Sequence, residues 1–88
     1  MTGTTSVSLL NELQERGFTP DENGESWYDL HVLPYRRIRV ELDDNTTIVH
    51  MLTGNSAGIW DVRFSDGTPV SVVASVIDLA IARAWTDS

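Results

Sequence analysis

Apolar positions recur along this chain with two different periods. Between Trp27 and Ser65 they alternate with polar residues: Tyr28, Leu30 and Val32, then Ile38, Val40 and Leu42, then Val49 and Met51, then Trp60, Val62 and Phe64. Alternation of period two is the signature of strands with one face buried. It predicts four strands, Trp27–Leu33, Arg36–Asp43, Thr46–Thr53 and Ile59–Ser65. Pro34, the run Asp43-Asp44-Asn45 and the segment Gly54 to Gly58 punctuate them. The third strand is apolar on both sides, with Ile48 and Leu52 facing away from Val49 and Met51.

Helical spacing brackets this region. Leu9, Leu10 and Leu13 predict a first helix over Ser6–Arg16, ended by Gly17 in a left-handed conformation with Phe18 folded back on Leu13. Residues 1–5 are expected to be a flexible tail. At the other end Asp66-Gly67 marks a turn, Thr68 a cap and Pro69 a first helical residue, predicting a helix over Thr68–Trp85. At about 100° per residue, Ser71, Ser75, Asp78 and Ala82 fall on one narrow strip, and the rest of the perimeter is mostly apolar. Such a helix needs cover on most sides, either from the sheet and the first helix within one chain or with part of the stripe, at Val76 and Leu79, meeting a second subunit. Between the first helix and the strands, Phe18–Ser26 carries an Asn23-Gly24 pair. It reads as a short edge hairpin or a loop, since a tight turn there sets Glu22 opposite Glu25.

Short connections imply an antiparallel meander. Parity then fixes register, because a slip of one residue turns an apolar set outward. A turn at Asp44-Asn45 pairs Val40 with Val49 and Ile38 with Met51; the next loop pairs Met51 with Trp60 and Val49 with Val62. An odd-length loop around Pro34 pairs Val32 with Ile38 and Leu30 with Val40. The expected fold is α+β, a two-layer sandwich of a four-stranded antiparallel meander with an N-terminal and a C-terminal helix on one face, in the order α-β-β-β-β-α. It forms a single domain over residues 6–86. Sheet-plus-two-helix domains of this order resemble, in architecture only, the small chaperones and adaptors of bacterial secretion systems, and no residue role is carried over from them.

On the sheet's other face this register aligns His31, Arg39, His50 and Asp61 in one row, flanked by Arg37 and Arg63, with Ile48 and Leu52 nearby. Guanidinium and imidazole groups gathered in this way suit a phosphate or carboxylate. The competing reading is cross-strand charge pairing on a wet surface, worth tenths of a kcal/mol to about 1 kcal/mol per pair. A partner seated on Ile48 and Leu52 is a third. Nothing fixes a metal geometry, and neither metal nor cofactor is expected.

Composition narrows the function classes. The 88 residues include no cysteine, which excludes disulfide frameworks and thiolate metal sites. A net charge of −7 opposes long-range attraction to nucleic acid or anionic lipid. All the basic residues are arginine, a bias that suggests a high-GC bacterium or its phage. The polar, uncharged start is unlike a secretory leader and the last helix is a poor membrane span, so a cytoplasmic protein is expected. Gly-rich phosphate loops, HExxH helices and nucleophile elbows are absent, and no enzyme is expected. The expected role is a small acidic non-enzymatic protein-interaction module, an adaptor, chaperone-like or regulatory accessory protein, that forms a homodimer. The alternatives are a DNA mimic that inhibits a nucleic-acid-binding protein through its acids, and a single-stranded nucleic-acid binder using Arg37, Arg39, Arg63 and Trp27.

Overall fold

A computed structural model describes residues 2–21, 26–43 and 46–86, with side chains from Ser8 onward. The elements run α1 (Thr2–Glu15), β1 (Thr19–Pro20), β2 (Trp27–Leu33), β3 (Arg36–Leu42), β4 (Thr46–Thr53), β5 (Gly58–Ser65) and α2 (Val70–Thr86). All strand pairs are antiparallel and the sheet order is β1-β2-β3-β4-β5. The architecture is α+β, as the alternation predicts, with five strands instead of four. The added strand, β1, has two residues, too few for any periodicity to register. The expected Glu22–Glu25 opposition lies outside the described residues.

The helices differ from expectation mainly at their starts. α1 begins at Thr2, four residues before Ser6, so the backbone of residues 2–5 of the expected tail belongs to the helix. Its end follows the sequence signal. Gly17 takes φ 88°, its N–H donates to the Gln14 carbonyl at 3.1 Å, and the Phe18 N–H donates to the Leu13 carbonyl at 3.0 Å. Those two bonds are the Schellman ending, and they fold Phe18 into the same core cluster as Leu13. At α2, the Pro69 carbonyl accepts from Val72 and Val73, so helical bonding starts one residue later than expected. The Thr68 hydroxyl sits 3.3 Å from the Ser65 hydroxyl.

One core lies between the layers. Ile38, Val40, Val49 and Met51 from the sheet meet Leu9 and Leu13 of α1 and Val73, Ile77, Ala80 and Ala84 of α2. α2 lies over β2, β3 and β4. α1 sits toward the β1–β2 side, where Gly17 adjoins the Leu30 side chain. Arg16 ties the two helices together, donating to both carboxylate oxygens of Asp78, at 2.7 Å and 3.0 Å. β5 therefore lies beyond the flank of α2 that faces away from α1.

The expected register holds in two of the three hairpins. Val40 pairs with Val49, Ile38 with Met51, Met51 with Trp60 and Val49 with Val62, as expected. The β2–β3 register is corrected by two residues: Leu30 pairs with Ile38 and Tyr28 with Val40. The chain turns through Pro34-Tyr35 alone, pairing Leu33 with Arg36, and a bulge between His31 and Leu33 then restores the parity. Both routes put Leu30 and Val40 on the core face, so the hydrophobic pattern cannot tell them apart.

Candidate functional site

The two-residue correction rearranges the wet face. Asp29, absent from the expected row, takes the place of His31 opposite Arg39, and the row reads Asp29, Arg39, His50, Asp61. His31 moves one row down, opposite Arg37. The result is a closed cluster. Arg39 Nε donates to Asp29 Oδ1 at 2.9 Å, and Arg37 Nη2 to Asp29 Oδ2 at 2.6 Å. Arg39 also reaches Asp21 at 3.3 Å and lies over the Trp27 ring, 4.4 Å from its centroid. Arg37 makes a further hydrogen bond to the Ser56 hydroxyl, held there because Gly54 lets its loop close on the Pro34 carbonyl, where a Cβ would overlap.

Asp29 is 6% exposed. Burial alone pushes its carboxyl up, but the hydrogen bonds from Arg39 and Arg37 outweigh that and hold it below the ordinary carboxylate value. The hydrogen bond to Asp29 in turn raises Arg39. The guanidiniums expected to gather an external anion thus already grip an internal one. The Trp27 face that a base would stack on is covered by Arg39. His50 contacts Glu41 at 3.1 Å, and Arg63 meets Asp61 only at 3.9 Å, with both side chains well exposed. His31 is exposed and stands outside the cluster. Among the described residues no three His, Asp or Glu side chains are grouped to hold a metal ion, and no helix is long and apolar enough to cross a membrane.

The residues singled out as an interface separate into two groups. Ile48 and Leu52 are each 7% exposed within the single chain. Glu41 and Arg63 flank Ile48 across the ladders, and Arg37 flanks Leu52. These two residues therefore offer no free apolar patch. Val76 is half-buried, whereas Leu79 is 61% exposed on the outer crest of α2. Val72, one turn before Val76, is 46% exposed. On the neighbouring strand, Val62 is 37% exposed although its partner Val49 is fully buried.

Of the large apolar side chains left exposed, Ile59 and Val62 lie on β5, Val72, Leu79 and Trp85 on α2, and Tyr35 in the turn between β2 and β3. Trp60 and Phe64 pack against the core but are only partly buried. Among the described residues β5 pairs with β4 alone, leaving its outer backbone edge open. The alternation puts Trp60, Val62 and Phe64 on the face that the helices cover, and it carries no signal for how far across the sheet that cover extends. No protein-family model, no curated protein and no solved structure matches the chain.

Proposed function

We propose that the chain is a small, acidic, non-enzymatic protein-interaction module of the adaptor or accessory kind, and that it self-associates. The observation that carries this reading is the unpartnered β5 edge, eight residues long, with Val62 exposed on the helix side and Trp60 and Phe64 only half covered. Long apolar edge strands bind other chains unless they are blunted, because their backbone N–H and C=O groups already form half a ladder. Ile59 on the same strand is 46% exposed as well.

The other two readings draw less support. Nucleic-acid binding requires guanidiniums and an aromatic face turned outward, whereas Arg37, Arg39 and Trp27 are engaged with Asp29 and with each other. A DNA mimic requires arrayed, unpaired acids, whereas Glu12, Asp21, Asp29 and Asp78 each contact an arginine. Sedimentation velocity from low micromolar to several hundred micromolar tests the self-association. A weight-average sedimentation coefficient that rises with concentration is expected; a monomer across the whole range overturns it.

A further inference from the structure

The sequence of β5 is complementary to itself when read antiparallel. Outward from Val62, the first neighbours are Asp61 and Arg63, and the second are Trp60 and Phe64. The bulge that opens β5 lies between Gly58 and Trp60, so Trp60–Ser65 is a regular stretch pairing residue for residue with Thr46–Met51. Asp61 and Arg63 point to the wet face. Val62 and its two aromatic neighbours point to the helix side.

We propose that two copies of the chain join through β5, antiparallel, with Val62 against Val62 on the two-fold axis, forming one continuous sheet with the helices of both copies on the same side. The proposal rests on the self-association reading and adds the partner, the strand and the register. In this register Asp61 stands opposite Arg63 of the second copy, twice by symmetry. Trp60 stands opposite Phe64 of the second copy, also twice. Opposite charges and aromatic pairs directly across an antiparallel ladder are its favourable side-chain contacts.

Neighbouring registers fail on the same residues. A slip of one residue sets Val62 against Asp61 or Arg63 and puts apolar and charged groups on one face. A slip of two residues sets Asp61 against Asp61 or Arg63 against Arg63, with like charges on the axis. Within one chain the Arg63–Asp61 contact is long, at 3.9 Å, so pairing across the axis sacrifices little. The symmetry also closes the assembly. An isologous contact uses up the open edge of both copies, while a head-to-tail contact from β5 to β1 meets a two-residue strand containing Pro20.

Charge reversal provides the test. Asp61→Arg alone and Arg63→Asp alone each place like charges across both symmetric pairs, and each is expected to raise the dimer dissociation constant by about tenfold or more in sedimentation equilibrium. The double variant Asp61→Arg/Arg63→Asp restores the pairs in exchanged positions and is expected to return to near the wild-type constant. These residues are exposed on the wet face, and circular dichroism of each variant checks that it folds. The chain has no cysteine, so Val62→Cys introduces a single thiol. Opposed Cα atoms in an antiparallel pair lie about 4.5–5.5 Å apart, within disulfide reach, and mild oxidation is expected to give a covalent dimer. The proposal is overturned if the wild type associates but both reversals leave its constant unchanged, or if Leu79→Asp on α2 dissociates the dimer and Asp61→Arg does not. In those cases the interaction reading stands. If the wild type is monomeric at every concentration, both readings fall together.

Discussion

At one edge of the sheet β1 offers two residues, the second a proline without an N–H; at the other, β5 offers eight, with a tryptophan, a valine and a phenylalanine on one side. The charges differ in the same sense. Next to β1, Asp29 is buried and gripped by two arginines, and Asp21 donates its N–H to the Trp27 carbonyl while its side chain meets Arg39. On β5, Asp61 and Arg63 are exposed and only loosely paired. The β1 side thus holds charges paired with one another inside the chain, although Arg37 Nε is buried without a hydrogen-bond partner among the described residues, and its short proline-containing edge resists further pairing. The β5 side keeps its polar backbone and charges turned outward. This division separates charges paired inside the chain from charges left exposed at an open edge.

The largest effect should come from Asp29→Ala. It leaves Arg37 and Arg39 facing each other with no carboxylate between them. Breaking a buried pair by removing one partner costs about 3–5 kcal/mol, and because both arginines reach water, about 3 kcal/mol is expected here. In a domain of this size that lowers Tm by about 15 °C. Thermal unfolding followed by circular dichroism measures it. The same variant should leave self-association unchanged once the protein is folded. If it instead disrupts association while sparing stability, the division between the edges is wrong.

Acid sharpens the same contrast. The Asp29 carboxyl titrates below its ordinary value of 3.8 in the folded chain and near that value when unfolded. Above about pH 4 the carboxylate is charged in both states and its contribution is complete. As pH falls below that value the unfolded chain takes up the proton first, so stability drops, and it is lost as pH passes through the folded value. Urea unfolding at pH 6, 4, 3 and 2 should show the loss concentrated below pH 4. Asp29→Asn should flatten that dependence by removing its largest buried carboxylate. An equally steep acid limb in Asp29→Asn would assign the dependence to other acids.

Why Asp29 escapes notice in the sequence is instructive. Parity reports which face a side chain takes, and Trp27, Asp29 and His31 all read correctly as wet-face residues. It does not report the row. The Pro34-Tyr35 turn with its compensating bulge and a longer loop without one satisfy the same hydrophobic pattern while moving His31 one row away from Arg39. Charge matching holds the missing information, since Arg37 and Arg39 next to a lone acid favour the register that brings Asp29 between them. The β3–β4 and β4–β5 registers are legible because their turns lie between long strands with a strict apolar face. The burial of Ile48 and Leu52 is not legible, because alternation assigns both to the wet face and does not report how far their neighbours cover them. The self-matching of β5 around Val62 is visible in the sequence, but it matters only once that strand is known to be the outermost.

The smallest effect concerns α1, which sits on the β1–β2 side of the molecule. Arg16 donates to both oxygens of Asp78 and also to Glu12 at 2.7 Å, and the hydrogen bond from Arg16 lowers the Asp78 carboxyl. Asp78 is more than half exposed, so solvent screens the pair and Arg16 keeps Glu12 when Asp78 is lost. Asp78→Asn removes the charge while keeping helix propensity nearly constant, whereas alanine would add helix propensity and hide the effect. The expected loss is about 0.5 kcal/mol, or about 3 °C in Tm, at low salt. At 1 M NaCl the Debye length is about 3 Å, and the two proteins should melt within about 1 °C of each other. A gap that persists at high salt would mean that Asp78 fixes the packing of α1 on α2 through geometry as well as charge. The β5 edge, on the opposite side of α2 from Asp78, should keep its association constant in either case; a shift there would couple the two edges through α2.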